Sequence, residues 1–201
     1  MTQISPKLDP SRTALLVMDY QHGILGMIET AGALVERAQH LIEVVRERGG
    51  HVGYVRVAFT PEELAAVPET NKGFAAAKAS GRAPLHDAPE SQIDERIAAQ
   101  EGDIVVRKRR VGAFSKTDLL EQLRQRDIDT LILAGVSTSG VVLSTLRDAA
   151  DRDFRLFVVG DACADPNPTV HEVLVRDVFP RQAGVISTAE LAGILGAPPT
   201  R

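Results

Sequence analysis

Ala14-Leu15-Leu16-Val17-Met18, five apolar residues closed by Asp19, is the stretch on which the fold turns. It does not alternate, so both of its faces are apolar. Such runs suit the central strands of a parallel sheet, which helices cover on each side. Downstream, Ala31 to Arg48 carries Leu34, Ala38, Leu41, Ile42 and Val45 at helical spacing, and Gly49-Gly50 stops it. The rhythm then repeats. Strands are expected over His51 to Val57, Asp103 to Arg107, Thr130 to Ala134, Phe154 to Val159 and Gly184 to Ile186. Helices are expected over Asp118 to Arg126, Ser139 to Arg152 and Thr169 to Val178, with a terminal one from Thr188. Strands alternating with helices imply right-handed crossovers and an α/β fold, a mostly parallel sheet between two helical layers. The rhythm breaks at Thr60 to Glu101, a segment rich in Pro, Ala and charge with one expected helix near Phe74 to Ala79. It reads either as a functional or interfacial insert or as a solvated excursion. The Ala-Pro-Pro-Thr-Arg tail at 197–201 reads as frayed.

The chain of 201 residues suits a single domain, 1–201, long enough to bury a core without staples or metals. It is 44% hydrophobic and 25% charged, with a net charge of −4. That balance argues against a nucleic-acid partner, which calls for a basic face. One cysteine, Cys163, rules out an internal disulfide. The start lacks the apolar core of a signal peptide. No apolar run reaches the roughly 20 residues a membrane helix needs. The expectation is a cytoplasmic protein with no membrane partner.

Ligands of open α/β sheets bind outside the carboxyl ends of the strands. That rule selects Asp19 to His22, Arg56 to Phe59, Lys108, Gly135 to Ser139 and Asp161 to Asp165. No G-x-G-x-x-G follows a strand, and Val141-Val142 stand where a phosphate loop needs Lys and Ser/Thr. The Ser/Thr cluster forms no nucleophile elbow. The five histidines are scattered, so neither a metal nor another cofactor is expected. An acid and a base remain. Asp19 at a strand end would be partly desolvated, and Lys108 shares a strand face with Ile104 and Val106. A lysine beside that aspartate could keep it ionised or deliver a proton. The bland alternative makes Asp19 a loop cap and Lys108 one of four solvated cations. In the turn Gly135-Val136-Ser137-Thr138-Ser139-Gly140, Thr138 or Ser139 could cap the next helix and leave N–H groups free for a carbonyl or anion. Capping alone would explain it equally well.

LLVMDYQHGI, VVRKRRVGAFSKTDL, LILAGVSTSGVVLSTLRDAADRDF and FVVGDACAD, in that order, resemble the isochorismatase-like hydrolases, also called cysteine hydrolases. The resemblance implies a six-stranded, mostly parallel, Rossmann-like sheet and a homo-oligomer, a dimer or tetramer, acting on a small molecule. It assigns catalysis to Asp19 and Lys108, and it puts the family's cysteine at position 141, which is valine here. It also implies a cis peptide at Val136–Ser137, with backbone donors across Val136, Ser137, Thr138, Ser139 and Gly140. Amidase members of the family attack with a thiolate, for which valine offers no substitute. True isochorismatases do without the cysteine and usually carry glycine there, so Val141 matches neither pattern. The family's metal motif after the second strand is replaced by VRVAFTPEE. The expected function is therefore a metal-independent hydrolase using Asp19 and Lys108. The alternative is a non-catalytic member that binds a small ligand or serves as an oligomeric scaffold. Cys163 is expected as a small buried residue. His22 is read as a surface-loop residue or a substrate contact, and His171 as capping or packing. Arg56, Phe59, Asn71 and Phe74 are candidates for lining the pocket.

Overall fold

The structure, a computed structural model, describes residues 7–196, so the tail at 197–201 lies outside the described residues. Six strands form one parallel sheet: β1 (Thr13–Met18), β2 (His51–Val57), β3 (Ile104–Lys108), β4 (Thr130–Val136), β5 (Arg155–Ala164) and β6 (Gly184–Ile186). Their spatial order is β3-β2-β1-β4-β5-β6. The chain winds outward from β1 one way and then, from β4, the other, so β1 and β4 flank the point where the order reverses. Such switch points are where crevices open at the carboxyl edge.

The opening run explains why β1 is central. Every one of its residues is buried, and the two faces feed different cores. Leu15 and Val17 pack with Leu34, Val35, Ala38, Leu41 and Val45 of α2 (Ala31–Glu47). Ala14, Leu16 and Met18 pack on the opposite side, with Leu119 and Leu123 of α5 (Leu119–Arg124) and Leu146 of α6 (Leu143–Ala150). Truncating such a side chain, as in Leu16→Ala, costs about 2–5 kcal/mol. Gly49, at φ 78°, ends the long helix as its position suggests.

Several boundaries differ from the sequence reading, and those at the carboxyl edge of the sheet matter here. Lys108 lies inside β3 as its last residue, and β3 has the buried-exposed alternation of an edge strand. β4 runs on through Val136. A π-helical turn, Thr138–Val142, then leads into α6. β5 continues five residues beyond Val159, so Cys163 sits within the strand opposite Gly135 rather than after it. A register shift between Leu133 and Gly135 absorbs the extra residues on β5. Periodicity could not reveal this, because Gly160-Asp161-Ala162 breaks the apolar run that marks the strand.

The segment 60–101 holds more structure than one helix. It contains α3 (Pro61–Ala65), α4 (Lys72–Ala79) and two 3₁₀ turns at Pro89–Ser91 and Glu95–Ile97. Thr60 and Glu63 cap α3 reciprocally, and Asn71 Oδ1 accepts from Phe74 N at the start of α4. The segment packs back onto the sheet edge. His22 N–H donates to the Gln92 carbonyl, Asp94 N–H to the Tyr20 carbonyl, and Phe59 bridges to Leu85. It is thus a wall beside the residues that follow β1, not a solvated excursion.

Candidate active site

The stretch Arg107-Lys108-Arg109 shows how the fold builds its charged centre. Successive side chains of a strand point to opposite faces. Arg107 and Arg109 both reach Glu63, at 2.5 and 2.9 Å. Lys108, between them, faces the sheet interior, with its Nζ 2.8 Å from Asp19 Oδ2. β3 and β1 stand two strand spacings apart, about 9–10 Å, and the long lysine stem spans β2 to make that contact. Asp19 and Lys108 are 4% and 2% exposed. This overturns the picture of a solvated Lys108.

Asp19 takes a left-handed conformation, φ 60°, just after β1, and its N–H donates to the Val55 carbonyl. Asp tolerates this region better than most residues. Burial raises the Asp19 carboxyl above its ordinary pKa, and the Lys108 ammonium opposes that rise without cancelling it. Asp19 Oδ1 is buried and, among the described residues, has no hydrogen-bond partner. One oxygen is committed to the lysine; the other is unspent.

Gln21, which the sequence reading passed over, fixes this corner. Its Nε2 donates to the carbonyls of Val57 and Ser91, at 2.9 and 2.7 Å, and its Oε1 accepts from Val57 N at 2.8 Å. The buried amide ties the Asp19 loop to the end of β2 and to the wall segment. Its place two residues after the acid, at the carboxyl end of β1, was the available signal.

On the other side of the switch point, the Val136–Ser137 peptide is cis. Gly135 is obligatory for the approach of these elements: a Cβ there would lie 2.9 Å from Val142 Cγ2 and 3.1 Å from the Met18 carbonyl. The capping expectation needs correction. The N-cap of the π turn is Ser137, without a side-chain bond, and the Ser139 N–H donates instead to Asp165 Oδ2 at 2.8 Å. Ser139 is therefore not a free donor. Thr138 is fully buried, and its Oγ1 lies 2.9 Å from His171 Nδ1. His171 stands on α7 (Pro168–Val173), where burial lowers its pKa. Gly140 packs beside Ser137 and Val111, and Val141 is 2% exposed, inside the core cluster with Met18, Val106 and Cys163.

The remaining candidates scatter. Arg56 points to His86 and to the Ser91 carbonyl, and Phe59 stacks edge-on against Phe74 at 5.1 Å. Asn71 is a helix cap. His22 is on the surface, 3.2 Å from Glu95. Cys163 is buried, which pushes its thiol up to about 12.

Two cavities open along the carboxyl edge. One, of about 330 Å³, is lined by Phe59, Glu63, Ala66, Arg109, Arg110 and Lys116. The other, of about 510 Å³, lies between the loop after β1 and the end of β5 and includes Arg37, Asp161, Asp165 and His171. Neither is lined by Asp19 or Lys108. Among the described residues no group of three or more His, Cys, Asp and Glu is placed to hold a metal ion, and no helix is long and apolar enough to cross a membrane.

A six-stranded parallel sheet between helical layers, with a buried aspartate–lysine pair at its carboxyl edge, defines a three-layer Rossmann-like α/β protein. Residues 13–190 match the isochorismatase domain family, and the chain belongs to that family. It is 36% identical over 194 residues to the uncharacterized isochorismatase family protein YecD of Escherichia coli O157:H7, covering 94% of this chain and 99% of that one. It is 28% identical to maleamate amidohydrolase of Pseudomonas putida, over 88% of this chain and 83% of the relative. The structure of an isochorismatase family protein from Burkholderia thailandensis superposes with a TM-score of 0.79 at 28% identity, covering 94% of this chain and 98% of that one.

Proposed function

We propose that this chain is a small-molecule hydrolase in which Asp19 and Lys108 perform acid–base chemistry without a cysteine nucleophile. The observation that carries the reading is the 2.8 Å contact between buried Asp19 and Lys108, with Asp19 Oδ1 left unpartnered. Lys108 occupies Oδ2, so a proton held by Asp19 resides on Oδ1. The raised pKa favours that protonated form, which suits a general acid. In the reaction, Oδ1–H gives its proton to the substrate atom that gains electron density. Water then adds at the electrophilic carbon, the water's spare proton restores Asp19, and the adduct collapses to a carbonyl as its bond to the leaving oxygen or nitrogen breaks, the adduct's hydroxyl proton going to that leaving group, which departs as a neutral alcohol or amine. Lys108 stabilises the carboxylate formed between the two transfers. Val141 supplies no nucleophile, so the route has no covalent intermediate, and Cys163 stays a thiol inside β5.

The test is a screen of vinyl ethers, amides and esters with wild type and Asp19→Asn. On the verified substrate the variant loses about 10²–10⁴-fold in turnover; equal turnover sinks the reading. A second reading, a ligand-binding or scaffold member of the family, is favoured by the sealing of Asp19, Lys108 and Val141. Asp19-dependent turnover on any compound of the screen removes it. We infer a homo-oligomer on the strength of the family resemblance; light scattering of the purified chain checks the assembly.

A further inference from the structure

The 330 Å³ cavity includes Arg109 and Arg110, the two residues that follow Lys108, and its charge opposes that of the molecule. Three cations line it, Arg109, Arg110 and Lys116, against a single carboxylate, Glu63. Glu63 is already claimed: Arg107 and Arg109 both bind it, and they hold its pKa down at about 2. Arg109 is likewise spent on that carboxylate. Arg110 and Lys116 are not. Among the described residues no carboxylate lies within ion-pairing distance of either, and the one recorded bond of the Arg110 side chain is to the Arg109 carbonyl, at 2.6 Å. Lys116 is held in a left-handed conformation, φ 58°, at the cavity rim. Phe59 and Ala66 give the cavity an apolar wall.

Two unpaired cations converging on an apolar-walled hollow, in a chain of net charge −4, is an anion-binding arrangement. The hollow also communicates with the acid–base pair. Lys108 Nζ donates to the carbonyl of Arg110 at 3.3 Å, so the backbone of a cavity-lining residue is one of the groups that hold the lysine in place.

We propose that this cavity is a carboxylate-binding subsite, in which Arg110 and Lys116 receive the anionic group of a small carboxylic acid while Phe59 and Ala66 flank its apolar body. The inference rests on the hydrolase reading only in making that acid the substrate; the binding site itself does not depend on turnover. The guanidinium fork of Arg110 matches a planar carboxylate, and Lys116 adds a point charge.

Benzoate serves as the probe and benzamide, its neutral isostere, as the control, titrated by calorimetry into the full chain at low ionic strength. The expected result is saturable benzoate binding that weakens at least tenfold in the variant R110Q/K116Q and weakens with added salt, with benzamide not bound. Thermal melts verify that the variant is folded, and Arg155→Gln, an exposed cation at the amino end of β5 on the opposite edge of the sheet, binds like wild type. Failure of benzoate to saturate, equal binding of benzamide, or unchanged affinity in the double variant overturns the proposal. So does binding of inorganic phosphate where benzoate fails, which would make the site one for phosphate. The two readings fail separately. Benzoate binding lost in the double variant, with no turnover found in the screen, leaves the subsite standing and removes the hydrolase. Turnover confined to neutral molecules, with KM untouched by the double variant, does the reverse.

Discussion

Two carboxylates on this edge of the sheet meet cations from the same three-residue stretch, and they end in opposite states. Glu63 meets Arg107 and Arg109 where its side chain is 21% exposed. Water still solvates the charge and three N–H bonds from the two guanidinium groups favour the anion, so the pKa falls from 4.5 to about 2. Asp19 meets Lys108 in the closed interior. There the loss of hydration outweighs one ammonium, and the pKa rises from its ordinary 3.8. Charge pairing alone therefore does not set a carboxylate's behaviour; the number of donors and the depth of burial decide it. The first arrangement is a fixed anion that organises α3 against β3. The second is a carboxyl whose protonated form burial favours more than it would in water.

The largest effects come from breaking the buried pair. Lys108→Met removes the one cation paired with buried Asp19 and leaves its carboxylate uncompensated, which costs about 3–5 kcal/mol. Urea melts should show that loss, and turnover measurements on the same variant must therefore be made where it is still folded. Replacing both partners, as in D19N/K108M, should recover most of the stability but none of the activity, because Met fills the lysine's path without a charge. If the single variant is as stable as wild type, the pair is not sealed in solution. Gly135→Ala comes next. Its new methyl collides with Val142 and with the Met18 carbonyl, immediately before Asp19, at an expected cost of about 1–3 kcal/mol read from the same melts.

The pH dependence separates the two carboxylates by sign. Glu63 has a depressed folded pKa, so its contribution is present above the unfolded value near 4.5 and disappears as pH falls toward about 2. Glu63→Gln should flatten that acid limb by roughly 1 kcal/mol, the size expected of a partly exposed pair. Asp19 has a raised folded pKa. Its contribution is present below the unfolded value near 3.8 and is lost as pH rises through the folded value. In a background of Glu63→Gln, stability should therefore fall with rising pH through the Asp19 titration. A curve that rises through this range would show that Lys108 outweighs burial after all.

Much of the sheet was legible because β1, β2, β4 and β6 announce themselves by apolar runs bounded by glycine or charge, and the structure keeps their starts to within a residue. That Lys108 turns inward was legible from its period-two placement with Ile104 and Val106, whereas its pairing with Asp19 was implied only by the family resemblance. What stayed hidden depends on distant groups. The Ser139 N–H is claimed by Asp165, 26 positions away, and Thr138 finds His171, 33 away. Gln21 gave only a weak signal, since a glutamine after a strand is as often solvated as buried. The cavity beside Lys108 could not be read because the sequence shows four consecutive cations and not which two Glu63 takes.

Cys163 carries the smallest prediction and sharpens the comparison on the opposite side of the switch point. It borders the 510 Å³ cavity, yet it is only 4% exposed, and its Sγ lies 4.0 Å from the Leu133 carbonyl. Burial here acts on an ionisable group as it does at Asp19, disfavouring the charged form. Burial, helped by the Asp161 carboxylate, moves the thiol up to about 12, so it remains protonated at any physiological pH. A thiol reagent added at pH 8 should leave the folded protein unlabelled and react only once denaturant opens β5. Cys163→Ala should leave turnover within a factor of two and cost stability by no more than about 1 kcal/mol, since only a small sulfur-sized void is created. Rapid labelling of the native chain, or a loss of turnover in the alanine variant with the fold intact, would move the nucleophile to β5 and displace Asp19 from the centre of the reaction.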